Sequence, residues 1–109
     1  MNDCIFCKII VGDIPSNILY QDELLVAFPD LNPTAKMHIL VVPKNHQANV
    51  SILAAENPKT LQRLVSVSQN LANQFANGDY RLIFNTGSTV GQSVFHVHAH
   101  VVGGETLPE

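Results

Sequence analysis

The sequence of 109 residues is poor in charge, in aromatic residues and in long apolar runs. Charged residues make up 14% of it, the net charge is −3, and the six Lys and Arg residues are dispersed. A nucleic-acid groove needs a basic patch that neutralises several phosphates, which this sequence does not provide. No apolar stretch approaches the roughly 18–20 residues that cross a bilayer. We therefore expect neither nucleic acid nor a membrane as a partner.

The first residues also lack the pattern of a secretory signal, because no basic region leads from Met1 into an apolar one. This predicts a cytoplasmic protein. A hydrophobic content of 46% is typical of a globular chain, and a chain of this length buries about 60% of its unfolded surface, which suffices for one core. We predict a single domain over residues 1–109 with a flexible tail at about 103–109.

Cysteine is scarce, and the two that occur, Cys4 and Cys7, form a Cys-x-x-Cys pair. Such a pair is a redox motif where it follows a strand and opens a helix, but no strand precedes this one. Half of a zinc site is therefore the better interpretation. Two more ligands would close a tetrahedral site, and histidines elsewhere in the chain can supply them. Two inert, reduced cysteines are the alternative.

Three histidines, His96, His98 and His100, alternate with apolar residues near the C-terminus. Period two is typical of a strand, so we expect the three rings on one face and the apolar residues between them on the other. Neighbouring rings would lie about 6.6–6.8 Å apart, which suits a ligand of phosphate-to-nucleotide size. Imidazole, with an ordinary pKa near about 6.5, can attack phosphorus when neutral and offset a phosphate charge when protonated.

Two other interpretations of these rings are open. A solvated edge strand can carry histidines without using them. A metal site made of all three rings is disfavoured, because positions two and four residues along one strand lie too far apart for every nitrogen to reach a metal at about 2.0–2.1 Å. Nucleophilic chemistry at phosphorus is therefore the favoured interpretation.

The order of the remaining elements predicts an α+β domain. A short helical turn over 8–13 precedes a hairpin over 17–28, and 38–43 is a continuous apolar run typical of a central strand. Asn57-Pro58 opens the one long helix, which carries an amphipathic stripe, and 80–86 is the next strand. We expect this helix to cover one face of an antiparallel sheet.

The triad and its surroundings resemble the histidine-triad (HIT) superfamily, in its nucleotide-binding, HINT-like branch. The motifs follow the family's order over nearly the whole chain: Cys4-Ile5-Phe6-Cys7-Lys8-Ile9-Ile10, Gly12-Asp13-Ile14-Pro15, Ala27-Phe28-Pro29-Asp30, His38-Ile39-Leu40-Val41-Val42-Pro43-Lys44, Asn85-Thr86-Gly87, Gly91-Gln92-Ser93-Val94 and the triad itself. The resemblance implies a HIT-like fold: an antiparallel five-stranded sheet with one long helix and a short N-terminal helix. It also implies a two-fold homodimer with a continuous ten-stranded sheet.

The resemblance further implies a hydrolase of purine nucleoside 5′-phosphoramidates, of the AMP-amine or AMP-lysine type. His98 would be the nucleophile that carries the nucleotide, and His100 would contact the phosphate and serve as an acid toward the leaving group. His38 would lie beside the triad and help to set the protonation of the middle ring.

A wider set of residues would hold the nucleotide. With His98 and His100, the residues implied are Phe6, Ile9, Phe28, Asp30, Leu31, Asn85, Gly91, Gln92 and Ser93. The apolar members would surround the base, Asp30 would bind the ribose hydroxyls, and the loop over 85–93 would hold phosphate oxygens. The apolar residues could equally well be ordinary core. Asp30 could instead be a residue whose carboxylate forms a turn.

Zinc-carrying bacterial members of the family imply that His46 and His96 complete the ligand set of Cys4 and Cys7. Such a zinc would be structural, because no open coordination position would remain for water, and the chemistry would need no metal. One residue departs from the family pattern: Met37 stands where relatives have glycine, and its side chain is expected to alter the rim of the cleft.

Three other functions stay open at this level. A dinucleoside polyphosphate hydrolase would use the same groups. A nucleotide-binding regulatory module would hydrolyse its ligand only incidentally. A metallohydrolase would use the triad as metal ligands and would lose activity on chelation without unfolding.

Overall fold

A computed structural model describes residues 4–109 of the chain. Residues 1–3, where the prediction about a secretory signal begins, lie outside the described residues. The elements, in chain order, are α1 (Ile5–Ile10), β1 (Tyr20–Gln21), β2 (Leu25–Pro29), β3 (Met37–Pro43), α2 (Val50–Glu56), α3 (Pro58–Phe75), β4 (Tyr80–Ile83), a 3₁₀ turn (Ser88–Val90) and β5 (Ala99–Gly103).

The five strands form one antiparallel sheet in the order β1-β2-β3-β5-β4. Strand β3 is the central one, and all seven of its residues are buried. Its continuous apolar sequence fits this place, because a strand that is covered on both faces has no solvent side to carry polar residues. The predicted α+β fold with a five-stranded antiparallel sheet, a long helix and a short N-terminal helix is confirmed.

Alternation along β3 divides the core between the two faces of the sheet. Ile39 and Val41 face α3, in a cluster that includes Leu64 and Leu71 of that helix. The cluster on the opposite face contains Leu40 and Val42 of β3 with Phe6, Val26 and Phe28. Each fully buried leucine, valine or phenylalanine stabilises the fold by about 1.5–3 kcal/mol. Helices α1 and α3 are therefore held mainly by apolar contact with the sheet.

Helix α2 is absent from the sequence-based prediction. It begins at Val50, after the N-cap Asn49, whose side-chain Oδ1 accepts a hydrogen bond from the Ile52 N–H at 3.0 Å. The helix has seven residues and buries one of them, Leu53. Because so short a helix repeats its apolar positions hardly once, periodicity gives little signal for it.

Several predicted boundaries are wrong, among them the end of the strand predicted over 80–86, which stops at Ile83. Strand β5 begins only at Ala99, so His96 and His98 lie in an irregular segment ahead of the strand rather than on it. Helix α1 begins at Ile5 rather than at residue 8, because the Cys4 sulfur caps it by accepting a hydrogen bond from the Cys7 N–H at 3.4 Å.

Met37 does not lie at the rim of the cleft, contrary to the prediction. Its neighbour His38 faces the histidine side of the sheet, so alternation along β3 turns Met37 to the opposite side. There it is 4% exposed and packs in the core under α3.

Two hydrogen bonds join the C-terminal tail to the rest of the chain. Glu105 accepts a hydrogen bond from the Lys36 N–H at 2.8 Å, and Arg81 donates to the Pro108 carbonyl at 2.6 Å. The flexibility of residues 103–109 stays a prediction. None of the helices within residues 4–109 has the length and apolar character that crossing a bilayer requires.

Candidate active site and metal-binding cluster

The middle histidine of the triad has a defined tautomer. The Nδ1 atom of His98 lies 2.8 Å from the carbonyl oxygen of His96. A carbonyl can only accept, so Nδ1 carries the proton and Nε2 keeps its lone pair. No hydrogen-bond partner for that Nε2 is found among residues 4–109, and the ring packs edge-on against Phe6 at a centroid distance of 4.9 Å. The arrangement leaves a neutral nitrogen free to attack an electrophile.

His38 contacts the last ring of the triad, not the middle one. Its Nε2 lies 2.9 Å from Nδ1 of His100. The register explains the contact: His38 pairs with Val102, so His100 is its diagonal neighbour on the same face of the sheet. His38 therefore lies beside the triad, in contact with His100, and its part in the protonation of the middle ring stays a prediction.

Asp30 forms the turn that was one of the two interpretations of its sequence position, while its contact with ribose stays a prediction. Its Oδ1 accepts from the Asn32 N–H at 2.8 Å, which is the bond of an Asx turn. Its Oδ2 lies 3.3 Å from Nε2 of His38 and 3.9 Å from Nδ1 of His100. One carboxylate oxygen thus holds the turn, and the other faces the cleft. We call Asp30, His38, His98 and His100 the cleft group.

Burial weakens the basicity of the last ring. Desolvation lowers the pKa of His100, the positive charges that His98 and His38 would carry lower it further, and Asp30 partly opposes the shift. The neutral form of this ring is therefore favoured at physiological pH.

The four apolar residues assigned to the base differ in their surroundings. Phe6 and Phe28 are buried and meet edge to face at 5.8 Å, and Ile9 packs against the same cluster. Leu31, in contrast, is 94% exposed. Leu31 is therefore not a core residue, and that interpretation of it is wrong. Phe6, Phe28 and Ile9 do pack as core residues.

The side chain of Gln92 organises the loop over 85–93 from within. It is 4% exposed, its Oε1 accepts from the Gly87 N–H at 2.9 Å, and its Nε2 donates to the carbonyls of Ala48 and Val94 at 2.7 and 3.2 Å. The amide is thus committed to the protein, whereas the neighbouring Ser93 is exposed. Asn85 is partly buried at the start of the same loop, and Gly91 adopts φ of 99°, which glycine allows without strain.

A second group of side chains lies beside the cleft group. Each of Cys4, Cys7, His46 and His96 offers one donor atom, and the four atoms lie within 4.8 Å of one another. We call them the thiol–imidazole cluster. Nδ1 of His96 is 3.3 Å from Sγ of Cys4 and 3.5 Å from Sγ of Cys7, and Nδ1 of His46 is 3.2 Å from Sγ of Cys7.

These distances fit a tetrahedral metal site. Bonds of about 2.3 Å to sulfur and 2.0–2.1 Å to nitrogen give sulfur–nitrogen edges of about 3.6 Å in a tetrahedron. His96 is also in the required tautomer, because its Nε2 lies 2.7 Å from the Pro43 carbonyl and must donate to it. Its Nδ1 lone pair therefore points at the two sulfurs, and the Pro43 carbonyl takes the place of the usual outer-shell partner of a metal-binding histidine.

The cleft group contains a second set of three donors, Asp30, His38 and His100, within the same distance of one another. Its tautomers do not suit a metal. The Thr34 N–H donates to Nδ1 of His38 at 3.0 Å, so a neutral His38 carries its proton on the nitrogen that would have to bind. The three triad rings do not converge either, because His96 turns into the thiol–imidazole cluster. Triad ligation, the basis of the metallohydrolase alternative, is therefore wrong.

Two groups that shape these sites were missed by the sequence analysis. They are the Pro43 carbonyl, which orients His96, and the Thr34 N–H, which orients His38. Both are backbone atoms, which every residue carries. Only the three-dimensional arrangement reveals that they are used here.

Fold and site together define a histidine-triad protein, and the chain belongs to that superfamily. Residues 3–107 match the family described as "Scavenger mRNA decapping enzyme C-term binding". The chain is 43% identical over 107 residues to the purine nucleoside phosphoramidase of Escherichia coli K12, covering 96% of this chain and 90% of the relative. It is 42% identical over 103 residues to an uncharacterized HIT-like protein of Synechocystis, covering 94% and 90%.

Solved structures agree with this assignment. A HIT family hydrolase from Clostridium thermocellum superposes with a TM-score of 0.93 at 40% identity, over 100% of this chain and 96% of the other. A histidine triad protein from Clostridium difficile gives a TM-score of 0.92 at the same identity and coverage. The predicted membership of the HIT superfamily is confirmed.

Proposed function

We propose that the protein hydrolyses purine nucleoside 5′-phosphoramidates, of the AMP-amine or AMP-lysine type, through a nucleotide bound covalently to His98. The relationship to a phosphoramidase supports the class of substrate. The observation that carries the mechanism is the His98 tautomer, in which the His96 carbonyl holds the proton on Nδ1 and leaves the Nε2 lone pair free.

The reaction then runs in two displacements. The Nε2 lone pair attacks the α-phosphorus, the phosphorus–nitrogen bond breaks, and the amine leaves with its bonding pair and takes up a proton from solvent water. A water molecule next attacks the same phosphorus and gives up one proton to solvent. The bond to His98 breaks, its electron pair returns to Nε2, and the nucleoside monophosphate departs. Splitting one difficult displacement into two easier ones is the advantage of a covalent intermediate.

The neighbouring groups would bind the nucleotide around that phosphorus. In the proposal Asp30 holds the ribose hydroxyls with the oxygen that faces the cleft, and Leu31 covers the base beside Phe6, Ile9 and Phe28. Ser93, His100 and the backbone around Gly91 contact the phosphate oxygens, where negative charge concentrates during the displacement. Gln92 is proposed to hold the loop in shape rather than to contact the phosphate directly, because its amide is already bonded to the protein.

We further propose that the thiol–imidazole cluster binds zinc as a structural ion. Four protein donors close a tetrahedral site, so a bound zinc would join the start of α1 to the segment before β5 and leave no position for substrate. The homodimer is likewise part of the proposal and rests on the family resemblance alone. A cytoplasmic location stays a prediction from the sequence.

Trapping the covalent intermediate tests the proposal. The wild-type protein, mixed with a slowly reacting adenosine phosphoramidate and quenched in acid-free denaturant, should gain the mass of one nucleotidyl group. His98→Ala should gain none while still binding AMP, and Asn70→Ala, on the exposed side of α3, should behave as wild type.

The alternatives give different results. Steady turnover by His98→Ala would end the assignment. Saturable AMP binding, with wild-type turnover no faster than that of the variant, would identify a regulatory nucleotide-binding module instead. Much faster cleavage of a dinucleoside polyphosphate than of the phosphoramidate would select the sibling activity that uses the same groups.

A further inference from the structure

Thr34 lies in the turn before β3 and contacts His38 through its backbone. Its N–H donates to Nδ1 of His38 at 3.0 Å, and its hydroxyl oxygen lies 3.3 Å from the same nitrogen. A backbone N–H can only donate, so Nδ1 of His38 must supply the lone pair. The proton of a neutral His38 is therefore on Nε2.

That proton fixes the next ring in turn. Nε2 of His38 lies 2.9 Å from Nδ1 of His100, and two facing nitrogens can form a hydrogen bond only if one of them is unprotonated. Since His38 donates, Nδ1 of His100 accepts. A neutral His100 then carries its own proton on Nε2, the nitrogen that points away from His38.

We propose that Thr34 is a positioning residue which, acting through His38, holds His100 as a neutral hydrogen-bond donor with its proton on Nε2. The acceptor of this hydrogen bond rests on the proposed function. His100 donates to a phosphoryl oxygen of the substrate and does not release a proton to the leaving group. The assignment corrects the expected role of His100 as an acid, because a neutral imidazole gives up its remaining proton far too weakly for that task.

The groups around His100 support a neutral ring. A proton added to Nδ1 would face the Nε2–H of His38 across 2.9 Å. Asp30, the nearest carboxylate, is 3.9 Å from that nitrogen, beyond hydrogen-bond distance. The His98 ring lies 5.2 Å away between centroids, so the two rings would repel each other if both were charged. The ring is also half-buried, which disfavours the charged form.

The consequence is a matched pair of neighbouring rings. His98 has its proton on Nδ1 and a lone pair on Nε2, whereas His100 has a lone pair on Nδ1 and its proton on Nε2. One ring can attack phosphorus while the other donates to an oxygen of the same phosphoryl group, and neither must change its protonation first. Preorganised donors of this kind are among the largest contributions to catalysis.

Nitrogen-15 spectra of the histidine rings test the proposal on the ligand-free protein. Two-bond proton–nitrogen correlations distinguish the two neutral tautomers from each other and from the cation. At pH 7 we expect His100 to be protonated on Nε2 only and His38 likewise. A His100 with its proton on Nδ1, or a cationic His100, would overturn the proposal without any variant.

Two pairs of variants test the chain of contacts. His38→Gln keeps a donor opposite His100, whereas His38→Glu replaces it with an acceptor of nearly the same shape. We expect the pKa of His100 to stay low in the first variant and to move upward in the second. Thr34→Ala keeps the N–H and should leave the tautomers unchanged, whereas Thr34→Pro removes the N–H and should let His38 redistribute its proton.

Failure of this inference is distinct from failure of the proposed function. Equal pKa values of His100 in His38→Gln and His38→Glu would contradict the positioning role, whatever the activity of either variant. A nucleotidyl group on His98 can still form in that case, because the His98 tautomer depends on the His96 carbonyl and not on Thr34. If a variant does not fold, the wild-type spectrum still decides.

Discussion

The thiol–imidazole cluster and the cleft group both contain histidines of the triad, but these histidines present opposite ring nitrogens. In the first, Nε2 of His96 donates to the Pro43 carbonyl and Nδ1 faces two sulfurs. In the second, Nδ1 of His98 donates to the His96 carbonyl and Nε2 is free. In the proposal, a backbone carbonyl therefore decides which histidine becomes a metal ligand and which becomes a nucleophile.

The two regions also differ in what their lone pairs point at. The four donors of the thiol–imidazole cluster converge on one another, as the ligands of an enclosed ion do. Nε2 of His98, in contrast, has no hydrogen-bond partner among residues 4–109. They meet at His96, whose side chain belongs to one region and whose carbonyl orients the ring of the other. Changes in the two regions should thus have different consequences, stability in the first case and turnover in the second.

The largest effect is expected in the cleft group. His98→Ala removes the nucleophile, and kcat/KM for an adenosine phosphoramidate should fall by at least about 10³-fold, as when other enzymes lose a nucleophile. The melting temperature should change little, because the ring is only partly buried. A loss of stability comparable to the loss of rate would erase the contrast between the two regions.

Chelation or Cys7→Ser should reduce the stability of the fold more than the rate of turnover. Structural zinc contributes several kcal/mol to folding, so thermal denaturation should shift downward by about 10 °C or more. Per folded molecule, the rate below the transition should fall far less than it does in His98→Ala. Activity that vanishes on chelation while the melting curve stays in place would show that the metal takes part in the chemistry.

Gln92 and Ser93, adjacent in the loop over 85–93, provide a finer comparison. Gln92→Ala leaves the Gly87 N–H without its partner and opens a cavity, so urea denaturation should show a loss of about 1–3 kcal/mol. Ser93→Ala removes an exposed hydroxyl, and its effect should appear in kcat with stability unchanged. If both variants lose stability equally, Ser93 is part of the loop framework as well.

The smallest effect is expected outside both regions, at Asp22. Partial burial opposes ionisation there, but hydrogen bonds from Tyr20, from the Leu24 N–H and from Arg63 prevail and lower the pKa of this carboxyl to about 2. A depressed carboxyl pKa stabilises the fold above the unfolded pKa near 4, and this contribution is lost as the pH falls toward 2. Asp22→Asn should remove up to about 2 kcal/mol from that pH dependence in acid unfolding titrations.

The sequence predicted the elements that repeat a pattern. The apolar run of β3 and the stripe of α3 each extend over many residues, and both occur where they were predicted. Helix α2 was missed because a short segment carries little periodicity. The histidine spacing suggested three rings on one strand face, whereas a bend before Ala99 turns His96 into the other cluster.

The site was predicted as a set of residues and not as a set of contacts. Family motifs brought Cys4, Cys7, His46 and His96 together before any coordinates, and the structure places their donor atoms within 4.8 Å. The partners of His38 could not be predicted, because they depend on strand register and on a backbone N–H. Sequence indicates which rings are present, while backbone geometry determines where their protons are.

Locating the nucleotide on the trapped intermediate tests this account most directly. Phosphorus–nitrogen coupling in protein labelled with nitrogen-15 histidine, joined to peptide mapping, identifies both the residue and the ring nitrogen that carry the nucleotide. We predict Nε2 of His98. Attachment through Nδ1, attachment to His100, or turnover in which no histidine ever carries the nucleotide would contradict it.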